Sequence, residues 1–575
     1  MKKLLVLLLV VISALALFAE DVDWLVEDVS GGTVGGTLYV GTLNGPKTLN
    51  PYWAQETSST DITDITLDTM LHADNKGMVT LPGMAKNFWK EETETGVKYY
   101  FELRKGLKWS DGVPLTIDDV LFTTKIVFDP NMTANGNGAY LDDQDRLPTY
   151  EKVDDYTIVY EYESKFRNGY TMLGGISILP KHVFEAVADD PEKFAQTWTV
   201  EQLSQVVGSG PFLISEYKEG VRVVLEKNPY YYAKSKDGVQ LPYLDKYVMS
   251  IIPDQNTERL KFEAGEIDLI APTPENFPSL KAQASQKGWK TVVGGPNLGS
   301  NFVAFNFNAQ DPIKRAWFRD TNFRTAIAYA FDKQSVIDNL YNGLGTAMYG
   351  PVSQSSGFYN PAIDELGFRY SLATAKRYLR NSGFTTNSEG KLVDKDGNVV
   401  AFTMVTNAGN TVREEICNIL VDSLQKLGME VTYRPINFNT LVNNLSAGEF
   451  DSLVLGLTGS VDPGSGWNVW RLDGGLHFWN YSPETLETVD PNDYFVPDYE
   501  KRIDEIFRLQ AITIDDQKLK ELFNEYQMLV AQNQVMVYTV AANYLIVYND
   551  TLVPYNPEPS PAAGVLWNIE AVYKK

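Results

Sequence analysis

The sequence is poor in the residues that form disulfides, bind metals and catalyse proton transfer. It has one cysteine, Cys417, and three histidines, His72, His182 and His477, among 575 residues. A single cysteine excludes an intrachain disulfide, so a large buried core must supply the stability. No two histidines lie close in sequence, so the H-E-x-x-H spacing of a zinc protease is missing. Cys417 falls on the apolar face of an amphipathic pattern, which predicts core packing rather than a nucleophile.

Basic residues are also scarce. The chain has 50 lysines and arginines against 74 aspartates and glutamates, a formal net charge of −24. The phosphate backbone of DNA or RNA would repel such a surface, so no nucleic acid is expected as a partner.

Motifs for chemistry are missing as well. The sequence has no G-x-S-x-G nucleophile elbow and no G-x-x-x-x-G-K-[ST] phosphate loop. "DKDGN" at residues 394–398 resembles the start of a calcium loop, but Val399 stands where glycine is needed and Val405 where the closing glutamate is needed. A carboxylate pair for glycoside hydrolysis stays open among 74 acids, and nothing singles one out. The sequence therefore predicts no catalytic residue, no metal and no cofactor.

One long apolar run is present, at the amino terminus. Two lysines at positions 2–3 precede an almost purely apolar stretch at 4–17, which ends in an Ala-Leu-Ala cleavage pattern. The run is too short to span a bilayer comfortably, since a spanning helix needs about 20 apolar residues. The pattern predicts a secretory signal peptide at 1–19, cleaved near Leu17 or Glu20. No cysteine follows to accept a lipid, so an unanchored periplasmic or extracytoplasmic protein is expected.

The rest of the chain alternates short strands with amphipathic helices, which predicts a mixed sheet. Residues 20–35 are acidic and end in glycines, which predicts a flexible leader. The stretch "YYFELRKGLKWSDGVPLTIDDVLFT", residues 99–123, predicts a half-buried strand, a turn at Gly112 and a helix. Thr116 is the expected cap of that helix, with Asp119 as the capping-box acid. Further on, "FRTAIAYAFDKQSVIDNLY" predicts one long amphipathic helix.

These segments resemble the large extracytoplasmic solute-binding proteins that serve ATP-driven importers, the oligopeptide, dipeptide and nickel-binding group called family 5. "YFELRKGLKWSDGVPLTIDDVLFT" resembles the signature of that family. Other stretches match family landmarks in the right order: "LNPYW", "GSGPF", "EKNPYY", "FEAGEID", "FRTAIAYAFDK" and "FDSLVLGLTGSVDP". The resemblance covers nearly all of the chain that follows the signal peptide.

The resemblance implies an α/β fold of the type II periplasmic-binding-protein kind. Two lobes with mixed sheets are joined by two crossing segments that act as a hinge. The first lobe is expected to comprise 36–73, 176–295 and 541–575. An inserted subdomain at 74–175 carries the signature, and the second lobe spans 296–540.

The resemblance also implies a function. The chain is expected to be the substrate-binding protein of an ABC importer, which captures a short oligopeptide or oligosaccharide between its lobes. It would deliver this ligand to membrane permease subunits that work with separate ATPase subunits. The alternative is a secreted hydrolase that acts on the same polymers.

The glycine-rich, aromatic stretch from Gly456 to Pro483 is the first candidate for the ligand site. Trp467, Trp470 and Trp479 are expected to stack on the ligand, because large aromatics in such a loop have no regular face to bury. The alternative is that they plug the loop onto the second lobe.

In peptide-binding relatives, an aspartate shortly before the "DP" pairs with the free amino group of the peptide. Here Gly459 or Ser460 stands at that position, which favours a neutral sugar, with Asp462 as the alternative partner for a peptide. "LNPYW" follows the first strand of the sheet, where cleft loops arise. Its Asn50, Tyr52 and Trp53 are therefore secondary candidates, with simple packing as the alternative.

Overall fold

The computed structural model describes residues 22–575, so the predicted signal peptide lies outside the described residues. The fold is built around two large mixed sheets and one smaller antiparallel sheet. In the part of the chain described, no helix is both long and apolar enough to cross a bilayer.

The first large sheet has eight strands, and its central strand Thr37–Thr42 runs parallel to both of its neighbours. In spatial order seven of the strands are Trp289–Pro296, Val540–Asn549, Leu269–Ile270, Thr37–Thr42, Lys246–Ile251, Arg222–Lys227 and Phe212–Lys218. The eighth strand, Gly345–Ala347, pairs with Val540–Asn549 although it lies in the range predicted for the second lobe. The longer helices near this sheet in sequence are Thr57–Thr66, Gln255–Glu263 and Phe277–Lys287.

The smaller sheet is antiparallel and lies within the stretch expected to form the inserted subdomain. Its strands in spatial order are Ala85–Glu92, Val97–Leu103, Thr157–Tyr162 and Thr149–Lys152, and its helix is Ile117–Phe128. Phe101 of this sheet and Leu38 of the first large sheet belong to one hydrophobic core.

The second large sheet has five strands and its own core, in which Cys417 is fully buried as predicted. The strands in spatial order are Glu430–Ile436, Ala401–Asn407, Ser452–Leu457, Ser300–Phe305 and Val537–Tyr538. The helices of this region are Pro312–Arg319, Thr321–Ala330, Leu372–Asn381, Thr411–Lys426, Phe438–Ser446, Asp498–Ile512 and Asp516–Asn533. The exact boundaries of the lobes and the subdomain stay a prediction.

Short elements complete the fold. Short helices are Gly169–Gly174, Lys181–Phe184, Pro191–Ala195, Lys333–Ser335 and Trp467–Trp470. Single turns of 3₁₀ or π type are Gly138–Tyr140, Glu185–Val187, Val200–Gln205, Val336–Leu340, Pro361–Leu366, Pro463–Gly466 and Ile569–Ala571. Two-stranded pairs are Leu25–Glu27 with Ala233–Ser235, Leu71–Ala73 with Val79–Pro82, Thr385–Thr386 with Leu392–Val393, and Leu552–Val553 with Tyr573–Lys574.

Two chain segments cross between the large sheets. Residues 297–299 link the edge strand of the first sheet to the second sheet, and Thr539 links the second sheet back to the first. The crossings are tied together, because the Thr539 amide donates to the Asn301 carbonyl at 3.0 Å and the Asn297 amide donates to the Ala542 carbonyl at 2.9 Å. This arrangement is the two-lobed fold with paired crossing segments that the sequence predicts.

The signature stretch folds as predicted. Strand Val97–Leu103 alternates between buried and half-buried residues, and Gly112 has a φ of 86° in the turn. The helix begins with a capping box, in which the Thr116 amide donates to the Asp119 carboxylate at 2.8 Å. The residues of this stretch stabilise the local fold, and none of them lines either of the cavities described below.

Two local predictions are wrong. The expected flexible leader contains strand Leu25–Glu27, which pairs in parallel with Ala233–Ser235. The strand is held in place because Leu25 packs against the hydrophobic core that contains Leu38 and Phe101, called the first core below. The expected long helix breaks after Ala330, because the Asp332 side chain accepts the Ser335 amide at 3.0 Å and so caps a new, shorter helix.

Candidate ligand-binding site

A cavity of about 650 Å³ lies between the two large sheets, beside the crossing segments. Both crossings line it, at 297–301 and 540–542. Loops of the first lobe add residues 42–44 and 55–58, and the second lobe supplies most of the remaining wall. A cavity of this size and position suits a small ligand held between two bodies.

Neutral polar side chains dominate the polar part of the wall. The twelve are Thr42, Asn44, Gln55, Thr57, Ser58, Asn297, Ser300, Asn301, Asn407, Asn410, Ser446 and Thr458. Only two lining residues are charged, Glu56 and Arg413. Phe438 and Phe478 are the aromatic residues of the described wall, so none of the predicted tryptophans faces this cavity.

The carboxylate of Glu56 is already used within the protein. One oxygen accepts from the Ser59 hydroxyl and from the Lys47 amide, the latter at 3.4 Å. The other oxygen accepts from the Gln55 amide at 3.3 Å. Glu56 therefore offers the ligand little free acceptor capacity.

Two hydrogen bonds hold the guanidinium group of Arg413 and leave its third nitrogen unpaired within the described residues. Its Nε donates to the Asn301 side chain at 3.0 Å, and its Nη1 donates to the Asn407 side chain at 2.9 Å. Nη2 has no hydrogen-bond partner among residues 22–575 and lies against Gly456, where a side chain would collide with it. Burial lowers the pKa of the guanidinium to about 10, so it is charged at neutral pH.

The surroundings of Arg413 reinforce its positive charge. The residue sits in the first turn of helix Thr411–Lys426, where the helix dipole is also positive. A cation at this end of a helix is electrostatically unfavourable. That signal could have drawn attention to Arg413 in the sequence, where it was missed.

Gly459 lines the cavity, whereas Ser460 does not. A Cβ at Gly459 would collide with the Leu298 carbonyl of the crossing segment, so no side chain fits there. The Ser460 hydroxyl is exposed and accepts the Asp462 amide at 3.3 Å. The position that would hold a carboxylate for a peptide amino group thus contributes only backbone.

Asp462 does not face the cavity either. It forms an ion pair with Arg167, with Nη1 at 2.7 Å from Oδ2 and Nη2 at 3.3 Å from Oδ1. Arg167 also donates to the Gln510 side chain at 2.6 Å. Both charged side chains are at least 85% buried, at 15% and 13% exposed, so Asp462 is a tie between the subdomain region and the second lobe. The prediction that it binds ligand is corrected accordingly.

Trp470 and Trp479 belong to the core of the second lobe. Trp479 is 1% exposed, and its indole N–H donates to Glu500 at 2.8 Å. The ring of Trp470 lies 5.4 Å from that of Trp479 and 5.0 Å from that of Tyr526, between centroids. Both therefore plug the loop onto the lobe, which corrects the expectation that they stack on a ligand. Trp467 alone of the three lines an open space, a second cavity described below.

The "LNPYW" residues also serve packing. The Asn50 amide donates to the Phe194 carbonyl at 2.8 Å, and the Tyr52 hydroxyl donates to the Ser177 carbonyl at 2.5 Å. Trp53 packs against the first core. Asn50, Tyr52 and Trp53 do not line the cavity, although the nearby Gln55 does. In the described part of the chain, no group of three or more histidine, cysteine or acidic side chains is placed to hold a metal ion.

Comparisons with known proteins agree with this architecture. The model of a family described as "Bacterial extracellular solute-binding proteins, family 5 Middle" matches residues 80–475. The oligopeptide-binding protein AppA of Bacillus subtilis is 30% identical over 435 residues, 75% of each chain. The periplasmic alpha-galactoside-binding protein of Rhizobium meliloti is 26% identical over 406 residues, 66% of this chain and 57% of its own.

Solved structures are similar over nearly the whole chain. AppA in complex with a nonapeptide has a TM-score of 0.80 at 26% identity, covering 95% of this chain and 100% of its own. The binding protein MelB of Agrobacterium fabrum, in complex with stachyose, shares the fold, with a TM-score of 0.79 at 22% identity and coverage of 95% and 85%. None of these relatives is named as a hydrolase, so the alternative of a secreted hydrolase gains no support.

Proposed function

Because the chain belongs to the bacterial extracellular solute-binding proteins of family 5, we propose that it is the substrate-binding protein of an ABC importer. It captures a short oligomer in the cavity of about 650 Å³ and delivers it to membrane permease subunits served by separate ATPase subunits. The lobes close on the ligand by bending at the paired crossing segments, as hinge proteins do.

The free Nη2 of Arg413 supports a ligand with a carboxylate. The half-buried guanidinium has an N–H for which the described residues supply no acceptor, and a ligand carboxylate would supply both an acceptor and a countercharge. We therefore propose a short oligopeptide whose terminal carboxylate binds at Arg413. The 30% identity with an oligopeptide-binding protein supports the same class.

The amino end of such a peptide is not anchored in this cavity. Gly459 offers no carboxylate, and the carboxylate of Glu56 is occupied by Ser59 and two backbone amides. The shortest peptides are thus held by one end, with the neutral polar wall binding the peptide groups.

A neutral oligosaccharide is the second candidate. The twelve neutral polar side chains of the wall favour it, since hydroxyl groups pair well with amides and alcohols. Relatives named as binding an alpha-galactoside and stachyose support it.

A calorimetric titration with trialanine and with stachyose separates the two candidates. We expect trialanine to bind and stachyose not to bind. If only stachyose binds, the proposed ligand is a sugar and not a peptide. If neither compound binds, both ligand classes are rejected for this cavity.

Export is part of the proposal. Mass spectrometry of the protein secreted by a bacterial host should show a mature chain that begins near Leu17 or Glu20. A secreted chain that retains Met1 would contradict signal-peptide cleavage.

A further inference from the structure

A second cavity, of about 560 Å³, lies next to the first. One wall is the loop at 130–138, which precedes the turn Gly138–Tyr140. The opposite wall comes from the second lobe, between Trp467 and residue 496. The cavity thus lies between the subdomain region and the second lobe.

Only a thin partition separates the two cavities. Gln55, which lines the first, donates through its side-chain amide to the Asn135 side chain at 3.1 Å and to the Ala134 carbonyl at 3.4 Å. Gly475 packs so tightly on the Ala134 carbonyl that a side chain would collide with it, while its neighbour Leu476 lines the first cavity. The partition therefore consists of the Gln55 side chain and the contact between Gly475 and Ala134.

The charged residues that line the second cavity are all acidic, whereas the first cavity is lined by one acid, Glu56, and one base, Arg413. Asp473 and Glu484 line the second cavity, and no lysine or arginine belongs to its described wall. Asp473 is paired with Arg471, with Nε–Oδ1 and Nη2–Oδ2 distances of 2.9 and 2.8 Å. Glu484 is exposed and has no ion pair within residues 22–575. This wall therefore favours a cation.

The same cavity has an aromatic floor. The half-buried ring of Trp467 packs against Gly138, where a side chain would collide with it, so the indole is fixed in place. The Tyr494 hydroxyl on the wall is buried and has no hydrogen-bond partner among the described residues. An indole ring attracts both apolar side chains and ammonium groups.

We propose that the second cavity binds the amino end of peptides too long for the first cavity. The terminal ammonium lies near Glu484, and the first side chains of the peptide pack on Trp467. The inference rests on the proposed function, because it requires that the carboxylate end bind at Arg413. The two cavities together would then fix the direction of the peptide.

The test compares trialanine with heptaalanine, each with a free and with an N-acetylated amino end, by calorimetric titration. We expect acetylation to weaken heptaalanine several-fold and to leave trialanine unchanged. Glu484→Gln should remove the effect of acetylation, whereas Glu487→Gln, an exposed acid that does not line the cavity, should preserve it.

Trp467→Ala should lower the affinity for heptaalanine about tenfold and leave trialanine binding intact. Trp467→Phe, which keeps a ring, should retain most of the affinity, and this variant also controls for any loss of folding. If heptaalanine responds to none of these changes while trialanine still binds, the second cavity is not a subsite and the proposed function stands. If neither peptide binds, both proposals are overturned.

Discussion

The two cavities are similar in volume but differ in charge and in construction. The first lies at the paired crossing segments and presents the rigidly held Arg413. The second is formed by loops and presents Glu484 and the ring of Trp467. A peptide carries a negative charge at its carboxyl end and a positive charge at its amino end. The difference between the cavities teaches that the placement of charges can select one direction of a ligand whose shape would fit in both directions.

A similar division runs through the aromatic stretch from Gly456 to Pro483. Its first residues, 456–459, line the first cavity, while Trp470 and Trp479 are buried in the core. Residues that look equivalent in sequence therefore divide between the cavity wall and the core, and the predictions below test that separation.

The largest effect is expected from Trp479→Ala. The change removes a fully buried indole and leaves one oxygen of the buried Glu500 carboxylate without its donor, so the free energy of unfolding should fall by about 3–5 kcal/mol. Denaturant titration measures the loss, and Trp467→Ala at the half-buried site should lose much less. Equal losses in the two variants would contradict the division between core and cavity.

Arg413→Met should remove the positive charge of the first cavity. Removing one partner of a buried charge pair costs about 2–5 kcal/mol, so affinity for trialanine should fall at least thirtyfold or so. Arg434→Met, an exposed arginine outside the wall, is the matched control and should bind like the native chain. A loss below threefold in Arg413→Met would place the carboxylate elsewhere.

The smallest effects are expected from pH, which should separate the two cavities. Burial lowers the Arg413 pKa to about 10, so the guanidinium is charged well below that pH and loses its charge as pH rises through it. The affinity for trialanine should fall over the same pH range. A peptide ammonium titrates near pH 8, so the extra affinity of heptaalanine should disappear about two units earlier. Calorimetry from pH 6 to 11 would show two steps for heptaalanine and one for trialanine. A single shared step would mean that both peptides use the same groups.

Local signals in the sequence predicted much of the fold. The strand, turn and capped helix of residues 99–123 depend on neighbouring residues alone, so their pattern predicts them correctly. The alternation of strands and helices likewise predicts the mixed sheets. The helix expected across Asp332 was wrong because a side-chain cap outweighed helix periodicity.

The site was harder to predict because it depends on distant partners. The indole N–H of Trp479 donates to Glu500. Asp462 forms an ion pair with Arg167, nearly 300 residues away in sequence. Arg413 is proposed as a ligand anchor because Asn301 and Asn407 hold two of its nitrogens and leave the third free. Such contacts follow from the tertiary fold, and no spacing in the sequence reports them.

The most direct test of the central claim compares trialanine with trialanine amide by calorimetry at pH 7. The amide keeps the size of the peptide but replaces one carboxylate oxygen by an NH2 group, and so removes the charge that Arg413 is proposed to bind. With the native chain, we predict a dissociation constant at least tenfold larger for the amide than for the acid. With Arg413→Met, we predict no difference between the two peptides. Equal binding of acid and amide to the native chain would contradict the claim that Arg413 anchors a terminal carboxylate.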